Sequence, residues 1–368
     1  MPLMLLNNIL ARMLLNGLCY GAMRWLKQNP DESKLPLFVV EALAKTPAKV
    51  SAKKAAALNL YKQHVESRPP IFFDTLKIGE FLATYQVGGI PDHHAAKVEN
   101  LNSILQQQHE GTGESSIVPF STTVVICGAC TGRDTTHGLT LSQIPKAYWA
   151  AILSPPEGYS YVIIDYQQQE PAIIAAKSGA SAIMDLYANG DLYEALNSQV
   201  TSGLLDRKSF KTLMTVHLYG GRAATIARKI GHGVVEVIQW LGKLKVLLKP
   251  LSDWLNIQLY QSKQAGEIQS LDWQINLKIL KKDTAIRNWP VQACGADIMR
   301  RACLALEKAE IPVLLTEHDG FLIQVKTTHF DQQILLAQQA LGDASAMVLG
   351  GFKLKSKVER IFQQEIGK

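Results

Sequence analysis

Two periodicities run along this chain and divide it into strands and helices. From Tyr161 to Ile164 an unbroken apolar run ends in Asp165, which reads as a short strand with a carboxylate at its end. Val313 to Leu315 and Phe321 to Val325 read as two more apolar strands joined through Glu317-His318-Asp319-Gly320, a hairpin with Asp319 at its tip. Val118 to Cys127 alternates towards strand character. Elsewhere the spacing is helical. Asp206 to Tyr219 has a helical repeat, with Asp206 near the N-terminus, where negative charge is favoured, and Gly220-Gly221 to end it. Leu35 to about Gln108 reads as helix with polar breaks: Ser51 caps a run through Lys62, and Ser67-Arg68-Pro69-Pro70 separates it from the next. Gly231 to Asp283 reads mostly as helix with breakpoints at Gly242, Pro250 and Gly266, and Asp297 to Lys308 continues as helix. Glu110 to Ser116 is a loop by composition and a subdomain boundary. There is no internal repeat, and the two glutamine triplets are too short to signify.

At 368 residues the chain is long enough for two or three packed subdomains. A hydrophobic fraction of 47% and a charged fraction of 19% are those of a globular protein of enzyme size. The net charge of +6 favours a polyanionic partner such as nucleic acid, although many basic proteins share it. The five scattered cysteines (Cys19, Cys127, Cys130, Cys294, Cys303) form no disulfide framework, so free thiols in a reducing compartment are expected. Cys127-x2-Cys130 with nearby His137 is at most half a zinc site and reads better as two small half-buried thiols. Met1 to Lys27 is apolar and acid-free, but Asn7, Asn8, Arg12 and Asn16 interrupt any membrane span. An amphipathic helix packed on the body is expected there, with an Arg-bearing transit peptide as the lesser alternative.

Four islands carry the candidate chemistry: Thr131-Gly132-Arg133, Asp165-Tyr166-x-Gln168-x-Glu170, Arg207-x3-Lys211-x7-Tyr219-Gly220, and His318-Asp319. Asp165 and Asp319 can meet if their strands share one sheet, giving the paired carboxylates that hold two divalent ions about 3.5–4 Å apart. Taken singly, Asp165 is also an ordinary strand-end acid, and Asp319-Gly320 an ordinary tight-turn pair. Arg207, Lys211 and Thr215 recur every four residues and so share a helix face, with Arg207 and Lys211 about 6 Å apart along the axis. That spacing suits successive phosphates of a triphosphate, and equally a solvated basic face. The G-x4-G-K-[ST] pattern of a P-loop is missing from this region.

In this order the islands resemble the motifs of family A DNA polymerases, the bacterial polymerase I class. Asp165-Tyr-Gln-Gln-Gln-Glu170-Pro resembles the family's motif A, Arg207 to Gly220 its motif B, and Glu317-His318-Asp319 its motif C. Thr131-Gly132-Arg133 with Leu141-Ser-Gln-Ile-Pro145, and Arg287-Asn288-Trp-Pro-Val-Gln292 with Ala296-Asp-Ile-Met299, resemble two further stretches. The likeness runs over about 131 to 325.

The resemblance implies an α+β chain with a right-hand polymerase fold: antiparallel palm sheet, helical fingers and a reduced helical thumb. Residues 1–130 would form the N-terminal thumb-like region, 131–198 and 283–368 the palm, and 199–282 the fingers. It implies template- and primer-dependent DNA synthesis from dNTPs. Asp165 and Asp319 would be catalytic and would bind two Mg²⁺ ions, with Mn²⁺ as a substitute and the Tyr166 carbonyl as a further ligand. Arg207, Lys211, Thr215 and Tyr219 would line the dNTP site, and Glu170 would be the steric gate that rejects a ribose 2′-hydroxyl. Arg133, Gln168, Asn288, Gln292 and His318 would contact primer-template DNA. Separate replication or processivity proteins are compatible partners, a membrane is not expected, and the cytoplasm of a bacterial or phage-infected cell is the expected setting. No proofreading exonuclease is expected, because the space before residue 131 is too short for one beside a thumb.

The chain departs from the family pattern at four places. Gly320 stands where a second motif C carboxylate is usual, Ala172 where an arginine is common, Thr215 in place of a sugar-packing aromatic, and Tyr193 where a histidine often follows motif A. Two rival readings are a single-subunit RNA polymerase, against which Glu170 argues, and a degenerate, non-catalytic nucleic-acid-binding homologue.

Overall fold

The computed structural model describes residues 52–85, 91–109, 116–137, 140–280 and 282–363. The helix expected over Met1 to Lys27, the Ser51 cap, Cys19 and most of the Glu110 to Ser116 loop lie outside these residues. The first stretch holds α1 (Ala52–Glu66), β1 (Ile71–Asp74), α2 (Thr75–Tyr85), α3 (Asp92–His109), β2 (Ile117–Phe120), β3 (Thr123–Val125), β4 (Thr135–His137) and α4 (Trp149–Ile152). Next, β5 (Tyr159–Tyr166) leads into α5 (Gln169–Ser178), α6 (Ser181–Asn189), α7 (Leu192–Thr201), α8 (Arg207–Leu218), α9 (Ala223–Ile230), α10 (Val234–Leu247) and α11 (Lys249–Ala265). After the small hairpin of β6 (Glu267–Gln269) and β7 (Gln274–Asn276) come α12 (Asp283–Lys308), β8 (Val313–Glu317), β9 (Gly320–Lys326), α13 (Phe330–Val348) and β10 (Ser356–Gln363).

An antiparallel sheet in the order β10-β5-β9-β8 divides the interior into two cores. Side chains alternate across a strand. β5 therefore sends Val162, Ile164 and Tyr166 into one core and Tyr161 and Ile163 into the other. The first core is helical, built from residues such as Ile173, Leu196, Leu213, Ile298 and Leu341. The second packs β1, β2, α3 and α4 on the opposite face through Phe73, Phe120, Val98 and Trp149. A third, smaller core joins the β6–β7 hairpin to the start of α12 through Trp273, Ile275 and Trp289. A strand buried on both faces needs a continuous apolar run, and Tyr161 to Ile164 supplies one.

Three expectations are corrected. The helical reading of Leu35 to Gln108 is interrupted by β1, which starts directly after Pro70 and pairs with the distant β2, so a long-range ladder outweighs the local pattern. Gly242 does not break α10. A mid-helix glycine costs about 1 kcal/mol, less than the burial of Val237, Trp240 and Leu244 returns at about 1.5–3 kcal/mol each. The region to Asp283 is mostly helix as expected, and Gly266 is the breakpoint expected of it: its left-handed φ of 71° caps α11, and the β6–β7 hairpin follows. Conversely, α12 begins before Pro290 and runs through it to Lys308, a longer helix than Asp297 to Lys308.

Candidate active site

Asp165 is the second-last residue of β5, and Asp319 sits in the two-residue loop between β8 and β9. Register places Asp165 opposite Gly320, and the Tyr166 amide donates to the Asp319 carbonyl at 3.0 Å. The two acids, far apart in sequence, are thereby neighbours at one end of the sheet. The residue that takes the turn is not glycine: His318 has φ 55°, whereas Gly320 is the first residue of β9 and is not in the left-handed region. Gly320 is small for another reason, since a Cβ there would lie 1.8 Å from Asp165 Oδ1. The tight-turn reading of Asp319-Gly320 is thus replaced by a packing one.

Around Asp165 the charges are dense. The Lys146 ammonium lies 3.7 Å from Asp165 Oδ2, 3.7 Å from Glu317 Oε2 and 3.5 Å from Glu359 Oε2. Burial, then the neighbouring Glu359, push the Asp165 carboxyl up to about 7, against the pull of Lys146. Asp165 Oδ1 is enclosed and has no hydrogen-bond partner. A carboxyl held in this way is short of positive charge, which a divalent ion would relieve, so the residues fit such an ion. Among the described residues no group of three or more His, Cys, Asp or Glu is gathered around a ready-made metal position. Holding one would fall to Asp165 and Asp319. Tyr166 offers only its main chain, because its ring is buried and its hydroxyl donates to Leu341 O at 2.7 Å.

Glu170, in the first turn of α5, is where three islands converge. It accepts from the Tyr219 hydroxyl at 2.8 Å through Oε2 and faces the Arg133 guanidinium at 3.7 Å through Oε1. With Tyr193, Met214, Thr215 and Tyr219 it lines a narrow crevice between α5, α7 and the end of α8. Gln168 precedes α5 in the left-handed region (φ 50°) and its Oε1 accepts from the Leu192 amide at 3.1 Å, so its side chain ties motif A to α7. Arg207 and Lys211 are exposed on successive turns of α8. Asp206 caps that helix, accepting from the Ser209 amide at 2.8 Å. Arg207 is engaged: it donates to Asp191 Oδ2 through Nε at 2.8 Å and its NH2 lies 2.7 Å from the same oxygen, while its guanidinium stands over the Tyr193 ring.

Arg133 is aimed by a clamped turn. Cys130 O accepts from both Trp273 Nε1 (3.0 Å) and Trp289 Nε1 (2.8 Å), and Gly132 O accepts from the buried Arg300 at 2.6 Å. Gly132 needs to be glycine twice over, with φ 73° and a Cβ position 2.8 Å from Trp273 Cγ. Asp134 accepts from Tyr61 Oη at 2.6 Å and from the Cys127 amide at 3.0 Å. Among the described residues Cys127, Cys130, Cys294 and Cys303 form no disulfide, and burial pushes the Cys127 thiol up to about 12. Asn288 and Gln292 share a face of α12, both half-buried, and Asn288 Oδ1 is enclosed without a partner. His318 is exposed at the hairpin tip.

The residues sequence reasoning missed are Lys146, Glu359 and Asp191, while Glu317, named in the hairpin, was given no role of its own. Only Asp191 had a local signal, as the residue capping α7 by accepting from the Tyr193 and Glu194 amides.

A family model for DNA polymerase family A matches residues 95–361. The chain belongs to DNA polymerase family A. Among relatives of this family member are the DNA polymerase of Mycobacterium phage D29, 26% identical over 49% of this chain and 31% of that protein, and DNA polymerase I of Pseudomonas aeruginosa, 24% identical over 55% of this chain and 25% of that protein. The thermostable DNA polymerase I of Thermus thermophilus is 21% identical over 51% of this chain and 25% of its own length. The matches therefore span only about a quarter to a third of these relatives. The fold is similar to that of the POL domain of Pol1 from M. smegmatis, solved in complex with DNA primer-template and dNTP, with a TM-score of 0.59 at 17% identity, covering 83% of this chain and 64% of that one.

Proposed function

We propose that this family A member is a primer- and template-dependent DNA polymerase that adds deoxynucleotides from dNTPs to a primer 3′-hydroxyl. The observation that carries the reading is the juxtaposition of Asp165 and Asp319 through the Tyr166–Asp319 main-chain bond. On this reading the sheet of β10, β5, β9 and β8 is the palm, drawn from 131–198 and 283–368, and 199–282 forms the fingers. The segment 1–130 is a reduced thumb-like region, part of which backs the palm sheet.

Asp165 and Asp319, with the Tyr166 carbonyl, would hold two Mg²⁺ ions. The chemistry such ions supply is activation of the attacking hydroxyl and stabilisation of the leaving pyrophosphate. Arg207 and Lys211 hold the triphosphate, which requires Arg207 to exchange Asp191 for phosphate oxygens. Glu170, fixed by Tyr219 and Arg133, occupies the volume a 2′-hydroxyl would need, with Thr215 beside the sugar. Tyr219 closes the base-pair pocket, and Arg133, Gln168, Asn288, Gln292 and His318 face the primer-template, Gln168 once it is released from the Leu192 amide.

Primer extension tests this directly. Asp165→Ala and Asp319→Ala should each lower incorporation by at least about a hundredfold, the scale on which loss of a charge-stabilising group acts. Extension at the parent rate by either variant would remove the mechanism. Equal use of rNTPs and dNTPs would instead favour an RNA polymerase, and salt-sensitive DNA binding without incorporation a non-catalytic homologue.

A further inference from the structure

The geometry points to Lys146 as a built-in counter-cation, a positioning residue that holds the Asp165 carboxylate in the metal-free protein and must withdraw when a divalent ion arrives. This inference rests on the metal-dependent reading above. It starts from a row across the sheet: Glu317 on β8, Gly320 on β9 and Asp165 on β5 are successive register partners. Directly opposed residues present their side chains on one face. With no side chain at Gly320, Asp165 Oδ1 occupies that space, and Glu317 is the next carboxylate along the row.

A third carboxylate is brought in by an irregularity. β10 pairs Val358 with Ile164 and Arg360 with Ile163, leaving Glu359 as the extra residue of a β-bulge. Bulges re-aim side chains, and this one places Glu359 Oε2 3.5 Å from Lys146 Nζ. Lys146 itself comes from outside the sheet, on the turn Lys146–Tyr148 after Pro145, which is fixed below by the Trp149 Nε1 bond to Ile144 O at 2.8 Å. Its ammonium is therefore delivered by a rigid support to three carboxylates on three strands.

The spacing explains why it is a counter-ion and not a permanent bond. At 3.5 to 3.7 Å none of the three contacts is a short hydrogen bond. Lys146 is one-third exposed, so it has water to move into, and Asp165 Oδ1 and Glu317 Oε2 remain enclosed without a hydrogen bond. The ammonium offsets repulsion among the carboxylates without satisfying them, which leaves Asp165 available to a stronger cation.

Two measurements test this at pH 8.5. Lysine acylation read by mass spectrometry should show Lys146 labelled slowly in EDTA and several-fold faster with Mg²⁺, and this Mg²⁺ response should vanish in Asp165→Asn. Mn²⁺ binding followed by electron paramagnetic resonance should be about five- to tenfold tighter in Lys146→Met, as removal of a unit charge a few ångströms away predicts, and near the parent value in Lys146→Arg. Labelling that ignores Mg²⁺, or Mn²⁺ affinity that is unchanged or weaker in Lys146→Met, overturns the proposal. The labelling arm uses the parent protein, so a variant that fails to fold does not protect the idea. A parent that extends primers while its Lys146 labelling is indifferent to Mg²⁺ would sink the counter-cation and leave the polymerase reading intact.

Discussion

Glu170 is the side chain at which distant parts of the sequence become one site, bonded to Tyr219 and paired with Arg133. Asp165 shows how the same crowding controls charge. Its ordinary value of 3.8 is pushed up to about 7 in the metal-free fold, by burial first and by Glu359 next. A proton held more firmly folded than unfolded gives stability that is full below about pH 4 and lost as pH rises through about 7. In EDTA, Asp165→Asn should therefore melt higher than the parent at pH 8, by roughly 5 °C, and close to it at pH 4. Thermal melts at the two pH values check this, and a pH-independent difference would contradict it. At this scale the sequence disclosed the acids but not their environment. Neither the bulge that brings Glu359 beside Lys146 nor the approach of Lys146 to Asp165 leaves any periodic trace in the chain.

The elements that carry the site are fixed at their ends. Helix α8 begins at the Asp206 cap and ends where Arg287 of α12 donates to Leu218 O at 3.0 Å, so the Arg207–Lys211 face is set from both sides. Asp206→Ala should speed hydrogen exchange at the Ser209 amide severalfold and leave the middle of α8 unchanged, while Asp206→Asn, which can still cap, should stay near the parent. Exchange mass spectrometry distinguishes the three. Helix α8 and the β8–β9 hairpin were legible because each rests on local spacing: a capped helical repeat, and two apolar runs around a polar turn. The β6–β7 hairpin was not, since Glu267 to Asn276 carries only three residues per strand and gains its stability from Trp273 and Ile275 packing on Trp289. The position of the φ reversal was not legible either. Asp-Gly suggested a turn glycine, yet His318 takes the left-handed conformation and Gly320 makes room for Asp165.

Across the whole molecule, one buried ion cluster joins the parts that the sequence lists separately. Arg300 on α12 bonds Asp297 at 2.6 Å, Asp272 at 3.3 Å and Gly132 O at 2.6 Å, and Arg301 bonds Asp272 at 2.6 Å. Two cations balance two buried carboxylates, and the turn bearing Arg133 hangs on Arg300. Arg300→Met should cost about 3–5 kcal/mol, because it strands a buried carboxylate, which urea unfolding would read as a lower midpoint. No comparable loss would mean that water or Arg301 takes over. The sequence by itself determined the kinds of chemical group present, the strand that ends in Asp165, the hairpin that carries Asp319 and the basic face of α8, since propensity and spacing act over a few residues. Only the tertiary structure decided which groups meet: Arg133 with Glu170 and Tyr219, Lys146 with three acids, Arg207 with Asp191. Those pairings depend on strand register and on side chains filling one shared volume, and neither is encoded within any single stretch of the chain.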